Sequence, residues 1–408
     1  MSTVDFLRRD KRWLSGGFLL FLLSCFGQTF FISLFGNDIR AEHGLSHGQF
    51  GGLYMAATLV SALVLTKAGP AVDRYPARHV VLVAVPMLAL GAFAMAASGH
   101  VIVLFAAVVL LRFFGQGMMT HIAFTVVGRW FTGERGRAMS VSTLGLNAGE
   151  ALFPLLVVLM VAAAGWRQVW WLGAVVLLVA AFAVAALFRR ERMPAPDAVH
   201  SARVSTPSWT RRQALRDPYF YLVCLAMGAP ALIGNTVFFN QVHLADLRGW
   251  PLQVTATAFT VYAVSTVVFN VIGGHLVDRL TALRLVPLFL LPLGGGLLVL
   301  GLTEAQWGLF AFMALYGVTN GLSLSLFGAT WPEIYGVDHL GAIRSVVVAI
   351  LVFASAAGPG LSGLLIDGGV GYPHQVVVLG VYCVAVSALM VKVIAHVRNR
   401  RHRVTQSV

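Results

Sequence analysis

Charge is what this chain has least of. Only 11% of its 408 residues are Asp, Glu, Lys or Arg, less than half the roughly 25% usual in soluble domains. So few charges cannot cover the surface of a water-soluble protein of this length, which excludes an ordinary cytosolic enzyme or binding domain. Cysteine is nearly missing. Cys25, Cys224 and Cys383 lie far apart, each inside an apolar run, so no disulfide framework is expected. No Cys-x-x-Cys pair occurs, and neither a metal site nor a cofactor is expected. No Gly-x-x-x-x-Gly-Lys-Ser/Thr stretch occurs either, so ATP is not the direct drive of whatever the chain does. No cluster of His, Asp and Ser at one depth suggests a catalytic residue, and the chain does not read as an enzyme.

Apolar length is what the chain has in quantity. Residues of the A, V, I, L, M, F, W, Y and C types make up 58% of it. They gather in twelve runs, at about 14–36, 48–68, 79–97, 102–127, 138–163, 167–188, 219–242, 252–275, 284–303, 306–330, 341–364 and 373–396. Each is long enough to cross about 30 Å of hydrocarbon as a helix, the form in which backbone groups satisfy one another without water. The sequence therefore predicts an all-α integral membrane protein with 12 transmembrane helices. The first run is too long for a cleaved leader and no Ala-x-Ala site follows it, so it reads as a retained first span.

The net charge of +13 is distributed unevenly. With both termini placed in the cytoplasm, 25 of the 29 basic residues fall in cytoplasmic segments, three (Arg40, Arg167, Arg248) fall opposite, and Arg112 lies inside a span. That asymmetry is the signature of a multi-pass protein oriented by its inner-face charges. The basic clusters then read as anchors to membrane lipid rather than as a nucleic-acid surface. Arginine outnumbers lysine 26 to three, a bias that suggests a GC-rich bacterial genome and an inner (plasma) membrane.

The one long polar stretch, residues 189–217, carries seven Arg and three Pro. It reads as a cytoplasmic linker with a short amphipathic helix near 208–216. Six spans precede it, over 1–188, and six follow, over 218–408. The two parts repeat each other. GPAVDRYP at 69–76 returns as GHLVDRLT at 274–281, LRFFGQG at 111–117 returns as LYGVTNG at 315–321, and Pro154 returns as Pro359. The offset stays at 204 or 205 throughout, which implies two pseudo-symmetric six-helix bundles.

These residues resemble the major facilitator superfamily of secondary transporters, over essentially the whole chain. Its signature loop is Gly-x-x-x-Asp-Arg-x-Gly-x-Arg-Arg or close to it. The first copy here keeps Gly69, Asp73, Arg74 and Arg78, with Pro76 at the second Gly position and His79 at the last basic one. The second keeps Gly274, Asp278, Arg279 and Arg284, with Thr281 and Leu283 as departures. Gly69 and Gly274 would allow close helix approach or a sharp turn. Asp73 and Asp278 would pair with Arg or with helix N-termini across the seam between the halves. The motif thus reads as a cytoplasmic gate that latches and releases. A fourth-span motif of Arg followed by a Gly pair matches Arg112, Gly115 and Gly117. GRWFTGERGRAMS at 128–140 resembles a loop of members that carry organic anions and monocarboxylates. Gly145 and Gly149 fit an exporter motif of the fifth span, but Glu150 stands where that motif has Pro.

Charge within a span is expensive and marks a functional site by default. Arg112 and Glu150 are the two such residues at comparable depth. Asn147 and Glu150, with Thr143 and Pro154, share one face of the fifth span. Burial favours the neutral acid and a nearby guanidinium favours the carboxylate, so Glu150 is a candidate proton carrier. Arg112 is its candidate partner or the anchor of an anionic substrate; a permanent Arg112–Glu150 ion pair is the alternative. By α-helical pitch Gln116 and Met119 should share the Arg112 face, and His121 should lie on the opposite one as a packing residue. Gln28, Asn235, Asn240, Asn270, Tyr316 and Asn320 are the remaining candidate contacts. The resemblance places cavity-lining residues on the first, fourth, seventh and tenth spans. Trp130, Trp170, Trp171 and Trp250 read as an interfacial belt. The resulting expectation is alternating-access transport of a small anionic or zwitterionic solute, coupled to protons, by a functional monomer. Efflux of amphipathic compounds is the alternative within transport. A receptor or assembly factor on the same scaffold is the alternative outside it.

Overall fold

In the computed structural model the chain is all helix, with no strand among the described residues 3–131, 134–190, 209–336 and 338–406. It folds as two compact units, Met1–Ala202 and Arg203–Val408. Of the stretch expected as a linker, 191–208 lie outside the described residues. Its last part forms α11 (Arg211–Arg216), opened by a Thr210–Gln213 capping box.

Unit 1 begins with α1 (Thr3–Ser24), a tight turn at Cys25–Gly27, and α2 (Thr29–Ile32) and α3 (Gly36–His43). The chain is extended at Gln28, with φ −80° and ψ 153°, so the first span is two helical runs bent by 45°. Next come α4 (His47–Ala68), α5 (Ala71–Arg74), α6 (Ala77–Ala96), α7 (Val101–Leu110), a π-helical stretch at Leu111–Met119, α8 (Thr120–Trp130), α9 (Arg135–Ala164) and α10 (Trp166–Leu187). Unit 2 continues with α12 (Pro218–Phe239), α13 (Gln241–Arg248), α14 (Leu252–Leu280), α15 (Ala282–Leu285), α16 (Leu291–Leu302), α17 (Trp307–Tyr335), α18 (Leu340–Asp367) and α19 (Tyr372–Gln406).

Local chemistry sets these boundaries. Ser46 accepts from the Gln49 N–H at 3.1 Å while Gln49 Oε1 accepts from the Ser46 N–H at 2.9 Å, a capping box that starts α4 and is worth about 1 kcal/mol. Gly44 and Gly249 end α3 and α13 with φ of 62° each, a left-handed conformation that glycine adopts without a Cβ penalty. They are 205 residues apart, a further mark of the repeat. Asp217 caps α12 by accepting from the Tyr219 N–H, with Pro218 pre-set at the first helical position.

The two units share one packing scheme. In unit 1, α1 packs on α9, α4 on the α7–π helix, and α6 on α10. In unit 2, α12 packs on α18, α14 on α17, and α16 on α19. Each unit therefore joins its first span to its fifth, its second to its fourth and its third to its sixth. Small residues permit the closest approaches. A Cβ on Gly115 would lie 2.6 Å from Gly27 Cα, and one on Gly321 would lie 2.6 Å from the Thr266 carbonyl oxygen.

Among the described residues, ten helical runs are long and apolar enough to cross a membrane, and the bent first pair makes an eleventh. The ninth expected span contains a shorter helix. At twelve residues, α16 rises only about 18 Å. The buried segment before it is bridged by one side chain. Thr319 Oγ1 accepts from the Leu293 N–H at 3.0 Å and donates to the Phe289 carbonyl at 2.9 Å, satisfying backbone groups that lipid would leave unpaired.

The tryptophan belt expected from sequence is corrected here. Trp130 and Trp170 are 1% exposed and Trp250 is 7% exposed, while Trp171 is 43% exposed. Proximity to a span end did not reveal which side of the helix each ring occupies. Trp170 packs edge-on against Phe31 at 5.3 Å, within an aromatic core that includes Phe26, Phe35 and Phe153.

Candidate functional site: a buried guanidinium held by neutral groups

Arg112 sits at the start of the π-helical stretch and is 2% exposed. Its Nε donates to Thr58 Oγ1 at 3.1 Å, and its Nη1 to the Gly27 carbonyl at 3.0 Å and Thr29 Oγ1 at 3.4 Å. The guanidinium lies over the Tyr54 ring, 5.0 Å from its centroid. Tyr54 donates in turn to Thr29 at 2.9 Å. The bend at Gln28 presents the Gly27 carbonyl to this cluster, and Ser61, one turn beyond Thr58, ties α4 to the fourth span by donating to the Val109 carbonyl. Among the described residues no carboxylate pairs with Arg112. The cation is held by dipoles and a ring face, an arrangement that leaves its charge uncompensated and suited to an anion.

Glu150 on α9 is 8% exposed and accepts from Asn147 Nδ2 at 3.3 Å. It lies beside the Cys25 region: a Cβ on neighbouring Gly149 would run into Cys25 Sγ. No ion pair joins Glu150 to Arg112, so the permanent-pair reading does not describe this structure. Asn147 is thus brought to Glu150. Gln116 is half-buried on the π stretch and Gln28 is half-buried at the bend.

His121 corrects the pitch argument. It meets the Gly69 carbonyl at 3.2 Å on the same second span that supplies Thr58 to Arg112. The intervening π turns are wider than α turns, so counting 100° per residue misplaces the face.

In unit 2 the position 204 residues after Arg112 is Tyr316. It is 5% exposed, donates to the Pro230 carbonyl at 3.2 Å and stacks on Tyr262 at 5.0 Å. Asn320 donates to the Tyr262 hydroxyl at 2.9 Å. Phe238 closes on both tyrosines, at 5.2 and 5.4 Å. Asn240 donates to the Thr236 carbonyl and to Ser362 Oγ, and Asn235 to the Ala231 carbonyl. Asn270 is half-buried, and its carbonyl accepts from Ser325.

The two signature loops differ in detail. Asp73, Arg74, Asp278 and Arg279 are all exposed within their units, and Arg78 is half-buried. At Gly69 a Cβ would lie 3.0 Å from the Leu65 carbonyl one turn back in the same helix and 3.4 Å from His121 Nε2, so the glycine marks no tight approach between helices. Gly274 has open space around it, so close approach within unit 2 does not explain that glycine. Thr281, standing at the signature's second Gly position, is the non-glycine residue with positive φ among the described residues, at 71° with ψ 151°. That region is essentially reserved for glycine. Sequence reading missed Glu333, whose carboxylate accepts from the Ala282 and Leu283 N–H groups at 2.9 and 3.2 Å and caps α15. It also missed Tyr54, Thr58 and Thr29, which are neutral and carry no signal of their own. His43 and His47 are four apart in sequence but sit on separate helices, α3 and α4. Among the described residues no group of three His, Cys, Asp or Glu gathers as a metal site would.

The profile of the Major Facilitator Superfamily matches residues 17–251 and 232–407. The chain belongs to this superfamily. Human monocarboxylate transporter 11 is 27% identical over 343 residues, covering 80% of this chain and 71% of that protein. The fold matches the nucleoside transporter NupG with a TM-score of 0.72 at 12% identity, over 93% of this chain and 98% of that one. It also matches a bacterial homologue of the human lysosomal transporter Spinster, inward-facing and unoccupied, with a TM-score of 0.69 at 16% identity over 96% of each chain. The family, this relative and these fold neighbours are transporters, not enzymes.

Proposed function

We propose that the chain is a proton-coupled secondary transporter of a small organic anion, working as a monomer in a bacterial inner membrane with both termini in the cytoplasm. The observation that carries this reading is Arg112, a buried cation held by Thr58, Thr29, Gly27 and Tyr54 and paired with no carboxylate among the described residues. A substrate carboxylate would supply the missing counter-charge, and the similarity to a monocarboxylate transporter agrees with that chemistry. Glu150 is the proton carrier in this reading, with Asn147 orienting it. Asp73 on α5 and Asp278 in the last turn of α14 serve as the gate as the two bundles alternate access.

Flux in proteoliposomes tests this. A pH gradient should drive accumulation of short monocarboxylates by the wild type. Arg112→Ala should lower both accumulation and one-for-one exchange by about 100-fold. Glu150→Gln should lose gradient-driven accumulation and keep exchange, because exchange needs no net proton movement. Transport indifferent to the gradient and to both substitutions, or no flux of any solute, would overturn the reading. The same carboxylates should raise the thermal midpoint of the wild type in detergent and leave that of Arg112→Ala unmoved.

A further inference from the structure

Unit 2 contains a cavity of about 270 Å³ between α12, α18 and α19. It arises because α18 and α19 each pack on α12 and barely on each other, so α12 forms the floor of a cleft. Leu232 and Thr236 line that floor, Leu361 and Leu365 one wall, and Val378 and Leu379 the other. Polar atoms at its base are consumed internally. Ser362 donates to Gln375 Oε1 at 2.7 Å, Asn240 donates to Ser362 at 3.3 Å, Gln375 donates to the Val370 carbonyl at 3.0 Å, and Thr236 donates to the Leu232 carbonyl at 2.7 Å. The interior therefore offers an occupant contact but almost no hydrogen bond. Apolar cavities of this kind stay dry, and one of about 150 Å³ already takes up benzene.

The position of the opening identifies the occupant. Leu361, Leu365 and Val378 are 55%, 47% and 66% exposed. They continue the aliphatic surface formed by Leu364 and Val381, at 59% and 56%, on helices long and apolar enough to span a membrane. A cleft that opens through such a surface opens into hydrocarbon. His374, exposed at the first turn of α19, stands at one end of the cavity lining, where a polar headgroup would meet an imidazole. We propose that this cleft binds one acyl chain of a bilayer phospholipid, with His374 beside the headgroup. The site is contained within unit 2 and does not depend on the transport reading.

The test uses the full chain reconstituted in vesicles of phosphatidylethanolamine and phosphatidylglycerol that contain a phospholipid with a photoreactive diazirine on its acyl chain. After irradiation, labelling should concentrate on residues 358–379 relative to the exposed α10 face at 172–182, which has aliphatic exposure but no cleft. Leu361→Trp with Val378→Trp fills the cavity. It should lower labelling of 358–379 by about tenfold, the change that loss of a modest apolar contact produces, and leave α10 labelling unchanged. His374→Ala should reduce labelling less and keep its location. Labelling of 358–379 no denser than that of α10 in the wild type would overturn the proposal, even if the double variant fails to fold. A diazirine fatty acid that labels the cleft when the phospholipid does not would also overturn it, because the occupant would then be a free amphiphile and not a bilayer lipid.

Discussion

The two bundles repeat a scaffold and diverge in chemistry. Ser61 donates to the Val109 carbonyl at 3.1 Å, and Ser265, 204 residues later, donates to the Ala314 carbonyl at 2.7 Å. Gly44 and Gly249 end equivalent helices with the same φ. Against this constant frame, Arg112 becomes Tyr316 and Glu150 becomes Ser355, 204 and 205 residues on. Glu150 and Ser355 are equally buried, at 8%. Both buried charges at these equivalent positions lie in unit 1, while unit 2 fills the same places with an aromatic stack and a hydroxyl. The pairing of spans and the Ser61/Ser265 hydrogen bond recur in both units. At the Arg112/Tyr316 position each unit again ties spans together, but through different chemistry.

The sharpest way to break the comparison is to treat equivalent positions alike. Arg112→Ala should lower solute flux by about 100-fold, as the loss of a charged hydrogen-bond partner worth up to about 3 kcal/mol implies. Tyr316→Phe removes one neutral hydrogen bond and should change flux by no more than a few-fold. Equal losses at both positions would mean that the units share the chemistry.

A smaller effect is expected in stability. Thr319 stands 204 residues after Gly115. In unit 2 its hydroxyl bridges the break before α16, whereas in unit 1 the glycine lets the fourth span touch Gly27. Thr319→Val strands the Leu293 N–H and the Phe289 carbonyl and should destabilise the protein by about 2 kcal/mol. Gly115→Ala should cost about 1–3 kcal/mol through overpacking instead. Thermal or denaturant unfolding in detergent measures both.

The smallest effect concerns the loops. Thr281→Gly removes a side chain from a glycine-only conformation and should stabilise by about 1 kcal/mol. Pro76→Gly, at the equivalent place in unit 1, acts on ordinary backbone with φ −55°. It should destabilise by about 0.4–1 kcal/mol by loosening the unfolded chain.

Much of this was legible in the sequence for a physical reason. Lipid demands about 20 apolar residues per helix, and that demand writes each span openly. The repeat was legible because Gly, Pro and Asp at fixed offsets meet backbone requirements that both bundles share. The Thr281 departure from the signature was visible as a substitution, though its positive φ was not. The neighbours of Arg112 were not legible. Gly27 and Thr58 are 85 and 54 residues away, and neutral acceptors leave no trace in a search for charge pairs. The bend at Gln28 and the shortness of α16 escaped as well, since apolar composition does not register where hydrogen bonding breaks. Nor does it tell a buried tryptophan such as Trp170 from an interfacial one such as Trp171.

The π-helical stretch at Leu111–Met119 also makes the fourth span elastic in residue count. A helix closed by i→i+5 rings holds more residues per turn than one closed by i→i+4 rings. Deleting a single residue between 113 and 118 would therefore restore the tighter pitch without interrupting the span. The residues inside the stretch would then face differently from now relative to the α-helical turns that flank it. The bundle would keep its outline, and the guanidinium of Arg112 would swing away from Thr58 and the Gly27 carbonyl. Among the described residues Arg112 is the one buried basic side chain, and its aim is set by the winding of nine residues.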